Sequence, residues 1–261
     1  MQLTEHHIIG KTHPMFKEID ATAFLSKNLY NKANYIIRQE FIKTSKEKET
    51  GKLLKANWIR CNNLQKQLQN ERDFDYYQLP TKVSQQVLMV LDDNWDSYFK
   101  ANRSWKKNPE IHNGKPSIPK YKDKKNGRNI LVYTIQSIST KELRNNIILL
   151  SGTKIRINTK QEKIQQVRIV PKIGHYLIEV IYNKEEVKNE NLDKNKIAGI
   201  DLGVNNLGAV TSNQNNLRPL LINGRPLKSM NQYYNKKRAK LQSFMPDKTS
   251  NKFIKLGNYI F

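Results

Sequence analysis

The chain has 261 residues, of which 46 are Lys or Arg and 23 are Asp or Glu, so its formal net charge is +23. Charge of this size favours a polyanionic partner such as nucleic acid and says nothing about the fold. Apolar residues make up 37% of the chain, which is below the globular average and indicates a core divided among small units. The alternative interpretation is a ribosomal-type or merely soluble basic protein.

Cys61 is the only cysteine, which excludes an internal disulfide and a cysteine-cluster zinc site. The N-terminus, MQLTEHHIIGKTH, lacks the basic start and apolar core of a signal peptide. No run reaches the ~18 apolar residues of a membrane span. We therefore expect a cytoplasmic, nucleoid-associated protein that has no membrane partner.

Residues 1–19 predict a short strand that is interrupted by Gly10 and Pro14, and residues 20–109 predict a helical block. In its first helix, apolar residues recur every four positions: Leu25, Leu29, Ala33, Ile37 and Phe41. The cations of that helix lie elsewhere around the turn: Lys27, Lys32, Arg38 and Lys43. A second helix is predicted around Leu53 to Leu68. A third follows Pro80 and carries Val83, Val87, Leu91, Trp95 and Tyr98. These stripes predict the packing faces of a small bundle.

Residues 100–128, which we call the basic segment, contain prolines and glycines that predict no helix, and Trp105 and Tyr121 lie among their charges. Ten residues of the segment are cations: Lys100, Arg103, Lys106, Lys107, Lys115, Lys120, Lys122, Lys124, Lys125 and Arg128. Lysines can contact phosphates and aromatic rings can stack on unpaired bases. The segment therefore predicts a nucleic-acid contact, to which we add the later Lys236, Lys237 and Arg238. The alternative is a solvated linker.

From Ile130 to Asn183 the apolar period becomes two, in the runs ILVYTIQSI, NIILL, KIRIN, IQQVRIV and HYLIEVIY. We predict a hairpin that turns near Lys172 to Gly174. Several short antiparallel strands of this kind indicate a small barrel or sandwich, a common platform for nucleic acid. The first residues of the chain could add another strand, which would make the helical block an insertion.

Asp201 is the only carboxylate in IAGIDLGVNNLGAVTSN, the most buried-looking strand of the chain. Gly199 leaves space beside it, and the residues that follow predict a tight turn into a second strand, Leu207 to Thr211. A buried ionised carboxylate is costly unless it meets a cation or a metal. A D-x-G hairpin occurs in RNase H-like nucleases, where the aspartate helps to hold two divalent ions, and also in actin-like ATPases. A structural aspartate that caps the turn is the third alternative.

The wider stretch KIAGIDLGVNNLGAVTSN, followed by PLLINGRPLKSMNQYYNKKRAKLQ, resembles the TnpB family of transposon-encoded, RNA-guided DNA nucleases, which are kin to the type V CRISPR effectors. Upstream, LPTKVSQQVL, GKPSIPKYKDKKNGRNILVYT and VRIVPKIGHYLIEVIY match in the same order, so the resemblance covers essentially the whole chain. It implies an α+β multidomain protein: a wedge-like antiparallel β-barrel (residues 1–19 and 110–190), an inserted helical recognition block (residues 20–109) and an RNase H-like, RuvC-like α/β segment (residues 197–261).

The resemblance also implies guide RNA and target DNA as partners, Mg²⁺ as cofactor and Asp201 as the first metal ligand. Complete members carry, further on, a catalytic Glu, a four-cysteine zinc ribbon and a final Asp. In this sequence the only acidic residue after Asp201 is Asp247, the zinc ligands are missing, and the similarity is lost after TSNKFIKL. We therefore expect a truncated chain that is inactive by itself. The alternatives are a non-catalytic repressor or competitor that binds RNA or DNA, an enzyme completed by a separately encoded C-terminal fragment, and inert debris.

Overall fold

The computed structural model describes residues 1–54, 57–185 and 193–244, and it divides the chain into two compact units with a boundary between Lys184 and Glu185. Parts of three predicted elements lie outside the described residues. They are residues 55–56 of the second helix, residues 186–190 of the barrel and residues 245–261 of the RuvC-like segment. The finer division into barrel, helical block and nuclease segment stays a prediction. Within the described part, no helix is long and apolar enough to cross a membrane.

The helices of the first unit follow the predicted apolar stripes. They are α1 (Phe16–Glu49), α2 (Cys61–Asn70), α3 (Phe74–Tyr77), α4 (Thr81–Lys107) and α5 (Thr140–Leu143). The stripe residues of α1 and α4 are buried except for partly buried members at the ends: Leu29, Ala33, Ile37, Val83, Val87, Leu91 and Trp95 are buried, and Leu25, Phe41 and Tyr98 pack against them. Pro80 occupies the N-cap of α4 and not its first turn.

Helix α2 begins later than predicted, and Trp58 and Arg60, which precede it, contact α4. The Trp58 ring lies 4.2 Å from that of Phe99, and Arg60 pairs with Asp92 and Asp96 at 3.1 and 2.7 Å. Helix α4 continues to Lys107, so the prediction that the basic segment contains no helix is wrong for its first eight residues. The first helix-breaking residue of the segment is Pro109, and nothing before it prevents helix formation.

The strands of the first unit are antiparallel. They are β1 (Gln2–Gly10), β2 (Leu131–Thr134), β3 (Ile147–Leu149), β4 (Arg156–Asn158), β5 (Ile164–Pro171) and β6 (His175–Asn183). One sheet has the order β1-β6-β5-β2 and a second pairs β3 with β4. The N-terminal strand does join the later strands, from Gln2 opposite Asn183 to Gly10 opposite His175. The β5–β6 hairpin turns where predicted, with Gly174 at φ +82°.

The predicted closure of these strands into a barrel is not observed. Among the described strands β1 and β2 are the two edges of the four-stranded sheet, and they do not pair with each other. Strand β2 has four residues and gives way to a 3-10 turn at Ile135, which leaves little edge for a closing ladder. The first unit is therefore an open antiparallel sheet with helices packed against it.

The described part of the second unit is a three-stranded antiparallel sheet followed by one helix. Its elements are β7 (Ala198–Asp201), β8 (Asn206–Ser212), β9 (Leu220–Asn223) and α6 (Arg225–Phe244), with the sheet order β7-β8-β9. The predicted hairpin from Asp201 into a second strand is thus present. An RNase H topology is not established by these three strands.

Candidate functional site

The basic segment has two structurally different parts. Its first part forms the last turns of α4, where Lys100, Arg103, Lys106 and Lys107 are exposed and Trp105 is half-buried. Its later part, residues 115–125, which we call the basic loop, lies along α1. The following residues of the loop are exposed: Lys115, Lys120, Tyr121, Lys122, Lys124 and Lys125. The ammonium group of Lys115 lies 5.8 Å from the centre of the Trp105 ring, which links the two parts.

The backbone of the basic loop is held by polar side chains of α1. The amide of Asn31 donates to the Lys122 carbonyl at 2.9 Å and accepts from the Lys122 N–H at 2.8 Å. The Asn34 amide donates to the Pro119 carbonyl at 2.9 Å, and the Arg38 guanidinium donates to the same oxygen. A buried polar group needs such partners, and here the partners are loop carbonyls. The loop is therefore not a free linker.

Lys27 completes this set of contacts. Its ammonium group donates to the Lys124 carbonyl at 2.8 Å and lies 3.7 Å from the centre of the Phe24 ring. The residue is only 2% exposed, although the sequence placed it outside the packing stripe. Burial, reinforced by the nearby positive charge of Arg128, lowers the pKa of Lys27. The side chains of Lys27, Asn31, Asn34 and Arg38 together form what we call the α1 polar stripe.

Two cation–ring contacts tighten the same junction. The Arg38 guanidinium lies 4.2 Å from the centre of the Tyr121 ring, and the Lys122 ammonium lies 5.2 Å from that of Tyr30. Trp95, at the centre of the helical core, donates its ring N–H to the Asn34 amide oxygen at 3.1 Å. The stripe is thereby connected to the core on one side and to the basic loop on the other.

Arg128, at the end of the basic segment, has a different environment. Its guanidinium binds both carboxylate oxygens of Asp20, at 2.8 and 2.7 Å, and the Tyr176 hydroxyl donates to Asp20 at 2.7 Å. The Arg128 hydrogen bonds lower the pKa of Asp20, and burial together with Asp20 raises the pKa of Tyr176. These contacts join α1, the segment and β6. That Arg128 also contacts nucleic acid stays a prediction.

Asp201 ends β7, opposite Ala209 of β8. The alternation of the strand places Gly199 and Asp201 on one face with Thr211, and this face borders a shallow groove that also includes Leu221. The interpretation of β7 as a buried strand is wrong, because the strand is exposed along its length and Ile200 is 65% exposed. Apolar alternation predicts which side chains share a face, but not whether a second layer covers that face.

The described residues beside Asp201 do not by themselves provide the ligands of a magnesium centre. Mg²⁺ prefers octahedral oxygen ligands and keeps several waters, and two-metal hydrolysis needs several carboxylates around the ions. Among the described residues, no group of three or more His, Cys, Asp or Glu side chains could share a metal ion. Asp201 is therefore a single carboxylate in an apolar surround, and the predicted metal role of Asp201 stays untested.

The turn after Asp201 is fixed by backbone packing. A Cβ atom on Gly203 would lie 3.0 Å from the Asn206 carbonyl oxygen, and one on Gly224 would lie 3.0 Å from that of Asn205. The Gly224 N–H and the Lys228 ammonium donate to Asn205 at 2.9 and 2.8 Å, which ties the turn to the start of α6. Helix α6 contains no acidic residue, and its predicted contact residues Lys236, Lys237 and Arg238 are exposed.

Sequence reasoning missed the α1 polar stripe. Its members are spaced by four, three and four residues, which is the spacing of one helical face. That periodicity was available from the sequence, but a polar helical face is usually a solvated one. The pairing of Arg128 with Asp20 gives no local signal, because the two residues are far apart in the chain.

Residues 177–256 match the family OrfB_IS605, described as "Probable transposase". None of the curated proteins matches the sequence. The family match begins in β6, includes the Asp201 hairpin and α6, and extends past the described residues.

Nineteen chains in solved structures match, and Cas12f complexes are among them. The first is the Cas12f1-sgRNA-target DNA complex, at 13% identity and a TM-score of 0.29, covering 98% of this chain and 64% of that one. The second is a CRISPR-Cas12f ternary complex, at 14% identity and a TM-score of 0.26, covering 92% of this chain and 55% of that one. The chain thus spans less than two thirds of the length of either protein. The resemblance to the TnpB family is confirmed over residues 177–256, where the chain matches the OrfB_IS605 probable transposases.

Proposed function

We propose that this chain is a TnpB-like protein that binds guide RNA through the basic loop and the adjoining end of α4, and that engages DNA through that guide. The observation that carries the proposal is the α1 polar stripe, which holds the loop backbone while the lysine side chains of the loop stay exposed. A net charge of +23 adds long-range attraction for a polyanion. In this mode of recognition, base pairing reads the sequence and the protein contacts the backbone.

The test of RNA binding is a salt titration. Lysines that neutralise phosphates release counterions, and each contact with a single strand adds about 0.7 to the slope of log affinity against log salt. Changing Lys120, Lys122, Lys124 and Lys125 to Gln should therefore flatten the slope for a structured RNA by about 2 to 3. An unchanged slope would mean that the loop is a solvated surface and that the proposal is wrong.

A matched control separates position from charge. The control changes to Gln four exposed lysines at the C-terminal end of α1 and just after it: Lys43, Lys46, Lys48 and Lys52. It removes the same number of charges from a different part of the first unit. We expect this variant to keep most of the slope. If both variants flatten the slope equally, binding depends on net charge alone and the basic loop has no special role.

The reaction that the family resemblance implies is metal-dependent hydrolysis of a DNA phosphodiester, with Asp201 as one ligand. We propose that the chain by itself does not catalyse it. Asp201 is the only carboxylate that the described residues bring to this groove, and the only later acidic residue in the sequence is Asp247. Guided plasmid cleavage by the purified protein with Mg²⁺ should stay at background. Cleavage that is lost in Asp201→Asn would refute this proposal and identify Asp201 as a ligand of a complete site.

The second candidate function is a non-catalytic RNA- or DNA-binding competitor of intact family members, and the isolation of Asp201 favours it. The two functions differ in a complementation assay. A separately produced fragment that supplies the later acidic residues and the zinc ribbon should restore cleavage if the chain is part of a split enzyme. A competitor would instead reduce cleavage by an intact relative in proportion to its RNA binding.

A further inference from the structure

The α1 polar stripe forms directed hydrogen bonds with the backbone of the basic loop. Asn31 uses both its amide N–H and its amide oxygen on one residue, Lys122. Its side chain therefore bonds the loop backbone as a neighbouring β-strand would, with one donor and one acceptor. Asn34 and Arg38 converge on Pro119, and Lys27 reaches Lys124. Each of these bonds ends on the backbone of the loop and leaves its lysine side chains unbonded by the stripe.

The order of these contacts shows that the loop runs antiparallel to the helix. Lys27 bonds the latest loop residue and Arg38 the earliest, with Asn31 between them. The helix rises about 16 Å between Lys27 and Arg38, which is close to the length of an extended chain from Pro119 to Lys124. The stripe therefore supports the loop from Pro119 to Lys124 and not at a single point.

We infer that Asn31 is a positioning residue for RNA binding: it holds the loop in the conformation in which the lysines meet the phosphates, without contacting RNA itself. This inference rests on the proposed function. A disordered loop would have to lose its backbone freedom when RNA binds, which weakens binding. A loop that the stripe already holds loses less backbone freedom when RNA binds. The two Asn31 bonds would thus contribute to affinity although Asn31 carries no charge.

The test uses Asn31→Ala in the full 261-residue protein, with a structured RNA as the probe. Two net hydrogen bonds correspond to roughly thirtyfold in an equilibrium constant. Because the other residues of the stripe still hold the loop, we expect the RNA affinity to fall by about tenfold, within that limit. The slope of log affinity against log salt should not change, because no phosphate contact is removed. Hydrogen exchange at the Lys122 amide should become faster, since that N–H loses its acceptor.

Asn28→Ala is the matched control. Asn28 is a half-exposed asparagine on the same helix, and it makes no side-chain bond to the loop within the described part of the chain. This variant should keep the wild-type affinity for RNA and the wild-type rate of hydrogen exchange at the Lys122 amide. Faster exchange at Lys122 with unchanged affinity in Asn31→Ala would overturn the inference and leave the proposed function intact. Failure of the four-lysine variant to alter the salt slope would instead overturn the proposed function.

Discussion

The first unit and the described part of the second differ in where their apolar side chains lie. All the buried hydrophobic residues of the described chain belong to the first unit, from Ile9 to Ile181. In the second unit the large apolar residues are exposed, and Leu202 is 79% exposed. β7, β8 and β9 therefore carry the alternating sequence of a buried sheet, but the described residues do not bury it under a second layer. The family match therefore falls mainly on the second unit, whereas the buried apolar core belongs to the first.

The largest expected effect is in hydrogen exchange. Amides in β5 and β6 lie in a packed sheet and should open only with global unfolding, so we expect protection factors of about 10⁴ or more. Amides in β7 to β9 lack buried side chains and should be protected by no more than about 10². Mass spectrometry of the intact chain measures both. Equal protection in the two units would show that the second unit is covered in solution, for example by self-association at its exposed edge.

A matched pair of leucine substitutions sharpens the comparison. Leu91 of α4 is 0% exposed, so Leu91→Ala should lower the free energy of unfolding by about 2 to 5 kcal/mol through lost burial and a cavity. Leu202→Ala removes the same atoms from an exposed site and should change the free energy of unfolding by less than about 0.5 kcal/mol. Calorimetry of both variants gives the values. A cost for Leu202→Ala as large as that for Leu91→Ala would mean that an unseen surface buries Leu202.

The ion pair between Asp20 and Arg128 should have a smaller effect on the free energy of unfolding, and that effect should depend on pH in a defined way. Asp20→Asn should lower the free energy of unfolding by about 1 to 3 kcal/mol at neutral pH, the usual range for a charged hydrogen bond. Because Arg128 lowers the pKa of Asp20 in the folded protein, the stabilisation is complete above the unfolded pKa of about 3.9 and is lost as pH falls through the lower folded value. The difference between wild type and variant should therefore shrink steadily as the pH falls below about 3.9.

Urea unfolding followed by tryptophan fluorescence measures this effect, since Trp58, Trp95 and Trp105 all lie in the first unit. Glu142→Gln is the control, because Glu142 pairs with Arg156, whose side chain is 55% exposed. Exposed pairs of this kind contribute about 1 kcal/mol or less. A difference for Asp20→Asn that does not shrink as the pH is lowered would show that the loss does not come from the charge of Asp20.

The parts of the fold that local periodicity determines could be predicted from the sequence. The α1 stripe of Leu29, Ala33 and Ile37 is buried as expected, and the β5–β6 hairpin turns at Gly174. The open sheet and the burial of Lys27 could not be predicted, because both depend on which distant segments meet. The exposure of β7 has the same origin. The sequence shows the apolar alternation of β7, but whether another layer buries that strand depends on the tertiary structure.

Asp201 gives the smallest expected effect on stability, and the physical reason differs from the one that its sequence suggests. A buried, uncompensated carboxylate would make Asp201→Asn stabilising. The side chain is exposed at the end of β7, so it keeps most of its hydration, and removing its charge should change the free energy of unfolding by less than about 0.5 kcal/mol. Exchange of the Val210 and Thr211 amides, in the strand paired with β7, measures the local effect. A marked gain in protection in Asp201→Asn would show that β7 is buried in solution and that its carboxylate is under the electrostatic strain of a buried site.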